Sequence, residues 1–334
     1  MVARSSVPVI GDACATQSQL TGGGGSRRNH WELSMGFRKQ RSHRHFVGTV
    51  EQHEREEQHT EIVNDIYLFD VALTYKFNPR TSLTVSVPIQ NATRVSPARF
   101  NAAGVQTSQK AVSHGSGIGD ISVSGRVWLL DPGREIPPKQ NISFAFGVKL
   151  PTGNEGITDV VNGRSVVVDQ SIQAGDGGWG FAIGTDMYKR LPWRMTAFGS
   201  GLYLFNPRET NGVRTGRGRA SEAIMSVSDQ YLARAGVLFH VPKARGWTAS
   251  FGARMEGVPV RDAFGKSGGF RRPGYAISLE PGVNYVRGKD TWSFSVPVPV
   301  ERNRRRSTSD MIDGRHGDAA FADYLIVAGW SHRF

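Results

Sequence analysis

Serine and histidine stand side by side in "VSHGSG" at 112–117 and in the closing "WSHRF". A hydrolase needs its nucleophile and base converging on one substrate atom. Ser113 and His114, adjacent on an extended segment, point to opposite faces instead. No phospholipase-type serine and histidine signature accompanies them. His43, His45, His53 and His59 are spread through "RSHRHFVGTVEQHEREEQHTE". Two of them, His43 and His45, share a face if the segment is extended and could hold an ion, but so charged a stretch reads as a loop of solvated side chains. Cys14 is the one cysteine, which excludes an intramolecular disulfide and any cysteine-based zinc site. The glycines of "GSGIGD" lack the following helix that a phosphate cradle requires. No cofactor is called for by any of these patterns.

Charge is the next chemical resource. Lys and Arg total 41 against 29 Asp and Glu, a net +12. No helical basic stripe or recognisable module goes with that excess, so nucleic acid is not the expected partner. The one local run, "ERNRRRSTSD", contains Arg302, Arg304, Arg305 and Arg306. On a cell surface these four are candidates for contact with lipopolysaccharide phosphates, through bidentate guanidinium bonds.

The elements that would position such residues repeat with period two. Alternating segments bounded by turn residues fall at 30–45, 62–77, 80–92, 118–130, 140–151, 179–190, 193–205, 229–241, 246–256, 274–286, 291–300 and 322–334. Connections alternate without exception between short, turn-rich links such as "NPR" and long ones at 46–61, 93–117, 152–178, 206–228, 257–273 and 301–321. An even number of strands with this sorting predicts an all-β, transmembrane, antiparallel up-and-down barrel of about 12 strands. Periplasmic turns are then short and extracellular loops long. The last segment, "FADYLIVAGWSHRF", is apolar on one parity and ends on an aromatic. It is expected to close the barrel against "HWELSMGF" and resembles the signal read by barrel-assembly machinery. Residues 29–334 form the expected barrel. Residues 1–28 read as a flexible segment without the apolar core of an intact signal peptide.

Parity also sorts the side chains. Trp31, Tyr75, Phe77, Trp193, Phe239, Trp247, Tyr285, Trp292, Trp330 and Phe334 gather at the short-turn ends, and Tyr67, Trp179, Tyr203, Phe205, Tyr231, Tyr275 and Tyr324 at the long-loop ends. Two interfacial girdles are predicted. Trp128 has the opposite parity and is expected to help fill the lumen. Charges on the lumen parity are Glu32, Arg38, Asp70, Lys76, Asp120, Arg126, Lys149, Asp186, Arg190, Arg194, Arg234, Arg254, Glu256 and Glu280. They serve either as ion pairs bracing a narrow barrel or as the polar lining of a solute path. The small basic excess favours anions. Pro297 and Pro299 would interrupt the eleventh strand by a bulge or an early end.

Three glycine-rich stretches, "GIGDISVSGRVWLL", "FAFGVKLPTG" and "GDGGWGFAIG", resemble the outer-membrane barrel family of the MetA pathway of phenol degradation, whose members are described as transporters. The resemblance covers the middle third of the chain. It implies passive movement of small aromatic or hydrophobic solutes across an outer membrane, with no catalytic residues. The alternatives are a barrel enzyme of the lipase or deacylase type, and a structural or adhesive surface barrel without transport. An eight-strand barrel is filled by its own side chains and roughly 16–18 strands leave an open channel, so twelve predicts a narrow, selective pore.

Overall fold

The computed structural model describes residues 30–100 and 106–334. The segment 1–28 and Cys14 lie outside them. Side chains that alternate between β-branched or aromatic and small polar types build twelve antiparallel strands. They are β1 (Trp31–Val47), β2 (Val63–Lys76), β3 (Thr81–Ser96), β4 in two pieces (Ala111–Ile118 and Ser122–Trp128), β5 (Gln140–Lys149) and β6 (Gly180–Arg190). The second half comprises β7 (Met195–Phe205), β8 (Gln230–His240), β9 (Trp247–Val258), β10 (Gly274–Arg287), β11 in two pieces (Asp290–Ser295 and Val298–Arg304) and β12 (Ala319–Arg333). Each pairs with its chain neighbours. The ring closes where β12 runs along β1, from Glu32 opposite Arg333 to Phe46 opposite Ala319. Closure pairs edge backbone groups that lipid could not satisfy.

The apolar parity faces outward. Phe69, Leu73, Phe146, Ile183, Phe251 and Phe294 are all exposed on the barrel wall, whereas Asp70, Ser143, Asp186 and Ser295 are buried inside. A belt of this kind is stable only against hydrocarbon. Aromatic rows edge the belt. Tyr285 lies 4.8 Å from Trp247 and 5.5 Å from Trp292 at the short-turn end. At the other end Tyr203 stacks on Tyr231 at 6.5 Å. Trp128 packs inside against Tyr188, as its parity predicts.

Two placements differ from what the sequence predicts, and a third feature, the interruption of β11, falls at the prolines that predict it. β3 and β4 continue well past the apolar belt, to Ser96 and from Ala111, where their outward residues are Asn91, Thr93, His114 and Ser116. Above the membrane an outward side chain need not be apolar, so the alternation fades while the ladder persists. β11 breaks between Ser295 and Val298, where Pro297 offers its carbonyl to the Leu325 amide at 2.9 Å. Arg194 does not line the lumen. With Trp193 it forms the turn between β6 and β7, both in left-handed conformation (φ 60° and 56°) and both exposed, and Arg190 beside them is exposed as well.

Candidate functional site: an arginine-lined vestibule above a bridged lumen

The three glycine-rich motifs meet at one place. Asp120, in the break of β4, accepts the Gly153 amide at 3.0 Å and the Asp176 amide at 3.1 Å. Lys149, the last residue of β5, points its ammonium at the Asp176 carboxylate (2.5 Å) and lies 3.7 Å from that of Asp120. All three side chains are fully buried. Three charges can be withdrawn from water together only because each is paired and hydrogen-bonded. Gly153 and Gly175 let the two ends of the loop touch: a Cβ on Gly153 would stand 2.8 Å from the Gly175 Cα. Asp120 and Lys149, expected as lumen lining, are thus the clamp at the base of the long loop 150–179.

From that clamp the loop crosses the mouth of the barrel. Its tip, a single turn of helix at Gln170–Ile172, reaches the inner wall formed by β2, β3 and β4. Ile172 packs against Ile66 of β2 and Ala92 of β3, and its carbonyl accepts the Gln90 side chain at 2.9 Å. Gly115 of β4 makes room, since a Cβ there would overlap the Ile172 carbonyl oxygen. Gln170 donates to the Ser226 carbonyl at 2.8 Å, tying the tip to the next long loop. No periodicity announced this inward fold.

Over the tip lies a cavity of about 990 Å³ at the long-loop end. Its wall carries Arg55, Arg94, Arg214, Arg217, Arg219, Arg271, Arg272, Arg304 and Arg315, against the acids Asp169, Glu222 and Asp318. Three of the arginines converge on Asp169: Arg272 by two bonds of 2.9 Å, Arg94 at 3.6 Å and Arg217 at 3.8 Å. Phe270 lies between two of them, with its ring 3.8 Å from the Arg217 guanidinium and 4.6 Å from that of Arg272. Burial by itself would raise the Asp169 carboxyl. The charges of Arg272 and Arg94, the Arg272 hydrogen bonds and the charge of Arg217 outweigh it and hold the group well below the usual carboxylate range. Burial, and then repulsion from Arg272, pull the Arg217 guanidinium down. Arg217 and Arg272 belong to "TGRGRA" and "FRRPG", arginine pairs in glycine- or proline-bearing loops that carry no periodic signal. Nothing local marks Asp169.

Below the loop tip the lumen is crossed by charge. Arg38 of β1 reaches Glu256 of β9, four strands round the ring, with bonds of 2.6 and 3.2 Å. Arg254 adds a contact of 2.9 Å to the same carboxylate. Arg234 pairs with Glu280 through bonds of 2.9 and 2.8 Å, Arg126 pairs with Asp186, and Lys76 with Glu32 at 2.6 Å. Asp70 accepts the Ser86 hydroxyl. These residues are inward, and each is held by a partner.

The other residues singled out above fall elsewhere. Arg304 is turned inward, buried, and paired with Asp310 at 2.9 Å, and Arg302 donates to the Ala322 carbonyl at 2.9 and 3.1 Å. Only Arg305 and Arg306 of the basic run are exposed. The Ser113 hydroxyl bonds the Arg94 carbonyl, whereas His114 faces Asp159 at 3.0 Å, so the two share no target. His43 lies 3.5 Å from Asp323, while His45 is buried between Asp318 (2.6 Å) and the Ile62 amide (2.9 Å).

No family model matches the chain, and no curated protein does. Among solved structures, the fold is similar to that of an outer membrane channel from Pseudomonas putida F1, with a TM-score of 0.60 at 10% identity over 94% of this chain and 98% of that one. The translocator domain of the autotransporter NalP from Neisseria meningitidis aligns with a TM-score of 0.47 at 12% identity, covering 95% and 92%. The Ralstonia pickettii toluene transporter TbuX does so at 0.44 and 10% identity, covering 96% and 94%. At these identities the likeness is one of fold: the chain has the architecture of an outer-membrane β-barrel.

Proposed function

We propose that this barrel is a narrow passive channel of an outer membrane, admitting small solutes and preferring anions, with aromatic and other compact hydrophobic carboxylates as its natural class. Membership in the phenol-degradation barrel family belongs to the same proposal, resting on the three glycine-rich motifs. The observation that carries the reading is the arginine-lined vestibule opening above a lumen that Arg38 and Glu256 bridge. Guanidinium groups concentrate anions at the mouth, since a cleft lined by one sign of charge raises the local concentration of its counter-ion. The bridge then limits size. Of the basic run, Arg305 and Arg306 are exposed, and they are the residues proposed to contact lipopolysaccharide phosphates. Proteoliposomes test the transport reading directly. Benzoate is expected to enter faster than benzyl alcohol relative to protein-free vesicles, and raffinose to be excluded. Equal acceleration for raffinose would mean a wide general pore, and no acceleration for any solute would remove transport.

A further inference from the structure

The vestibule holds a carboxylate already, and it belongs to the protein. Asp169 sits at the start of the loop-tip turn, where it also accepts the Ser171 amide at 3.0 Å and the Ser171 hydroxyl at 2.8 Å. Its two oxygens receive the fork of Arg272 in the planar, bidentate arrangement that guanidinium groups offer to any carboxylate. Arg94 is braced for this position by its bond to Asn64 at 2.8 Å, and Arg217 by lying over Phe270. Arg94 and Arg217 therefore keep contacts that do not involve Asp169, and Arg272 keeps its approach to the Phe270 ring at 4.6 Å. Without that carboxylate they would face one another across a vestibule already rich in positive charge. Ile62 and Val258 line the cavity from outside that loop and offer a dry surface for the remainder of a ligand.

From this we infer that Arg94, Arg217 and Arg272 form a binding site for the carboxylate of a small amphipathic solute, and that Asp169 is its resident occupant, exchanged for the solute as the loop tip lifts from the barrel mouth. The inference deepens the channel reading and rests on it for its biological sense, but the binding step can be measured without any transport. Because Asp169 is on the loop and the arginines are held elsewhere, solute binding and release of the tip are one equilibrium. A ligand can shift it only by its preference for the vacated cage.

The probe is 4-fluorobenzoate, followed by fluorine NMR on the refolded full chain in detergent, with heat-modifiable gel migration as the criterion of folding. Asp169→Asn keeps the shape of the side chain and removes its charge. It is expected to bind the probe at least tenfold more tightly than the unaltered chain, and a further Arg272→Gln to abolish that gain. Equal affinity with and without Asp169→Asn, or no saturable binding to the folded variant, would overturn the exchange. Should Asp169→Asn not fold, a cysteine pair at Gly117 and Ala174 in a Cys14→Ser background ties the end of the loop tip to β4; a Cβ on Gly117 would stand 3.5 Å from that of Ala174. Oxidation is then expected to weaken probe binding at least tenfold and reduction to restore it, and indifference to oxidation would overturn the proposal. Conductance steps in a planar bilayer report separately on the channel. Steps without probe binding would leave that reading standing and remove this one.

Discussion

Lys149 illustrates how far one residue's position can be read and where the reading stops. Alternation along "FAFGVKLPTG" puts it on the inner face, which is correct. Its partner Asp176 comes from the far end of a long loop, and parity says nothing about partners. Lumen lining was therefore the natural inference for Lys149 and Asp120, and a buried clamp is what the fold makes of them. Lys149→Met should leave two carboxylates facing each other out of water. Breaking a buried pair in this way costs about 3–5 kcal/mol, so the temperature at which the barrel loses its heat-modifiable migration should fall clearly. Asp169 gives a prediction of opposite character. Its folded pKa lies well below the ordinary value, so the stabilisation it lends the loop is complete above about pH 4, the value expected in an unfolded chain. It is lost only as pH falls further, through the folded value. The difference in benzoate affinity between the unaltered chain and Asp169→Asn should therefore stay constant from pH 8 to pH 5, as fluorine NMR with the fluorinated analogue would show.

At the scale of elements, the barrel strands announce themselves because each must present one face to lipid and one to a polar interior. That double demand writes a period of two into the sequence. It holds in "YLFDVALTYK" and "ISFAFGVK" and weakens in "NATRVS" and "AVSHGS", where the same strands stand clear of the membrane. The loop 150–179 obeys no such rule. Its inward course is fixed by a clamp at its base, by Ile172 finding an apolar patch on β2 and β3, and by the absence of a side chain at Gly115. Gly115→Val should therefore push the tip off the wall without disturbing the ladder, whose strands pair through backbone groups. Single-channel conductance is expected to rise several-fold while the protein keeps its heat-modifiable migration. Unchanged conductance in a folded variant would show that the tip does not narrow the path.

For the whole molecule, the outward belt and the inward charges are two consequences of one closed sheet. A residue's cost of change depends on which side it faces. Phe69, near the middle of β2 and exposed on the wall, is expected to cost about 2–4 kcal/mol when replaced by Arg, as measured by chemical unfolding in phospholipid vesicles. The fold, its strand order and its two aromatic girdles are legible in the sequence for this reason. The vestibule is not, because it is assembled from arginines in separate loops whose meeting depends on where the loops turn. The proposed function is that of a small, anion-preferring channel, with a bridged lumen beneath a cationic vestibule. Single-channel recording of the refolded chain in a planar bilayer under a salt gradient tests it most directly. Small discrete steps with a reversal potential on the anion-selective side, reduced by added benzoate, are the predicted result. Large ohmic steps, a cation-selective reversal potential, or silence from a properly folded barrel would contradict it.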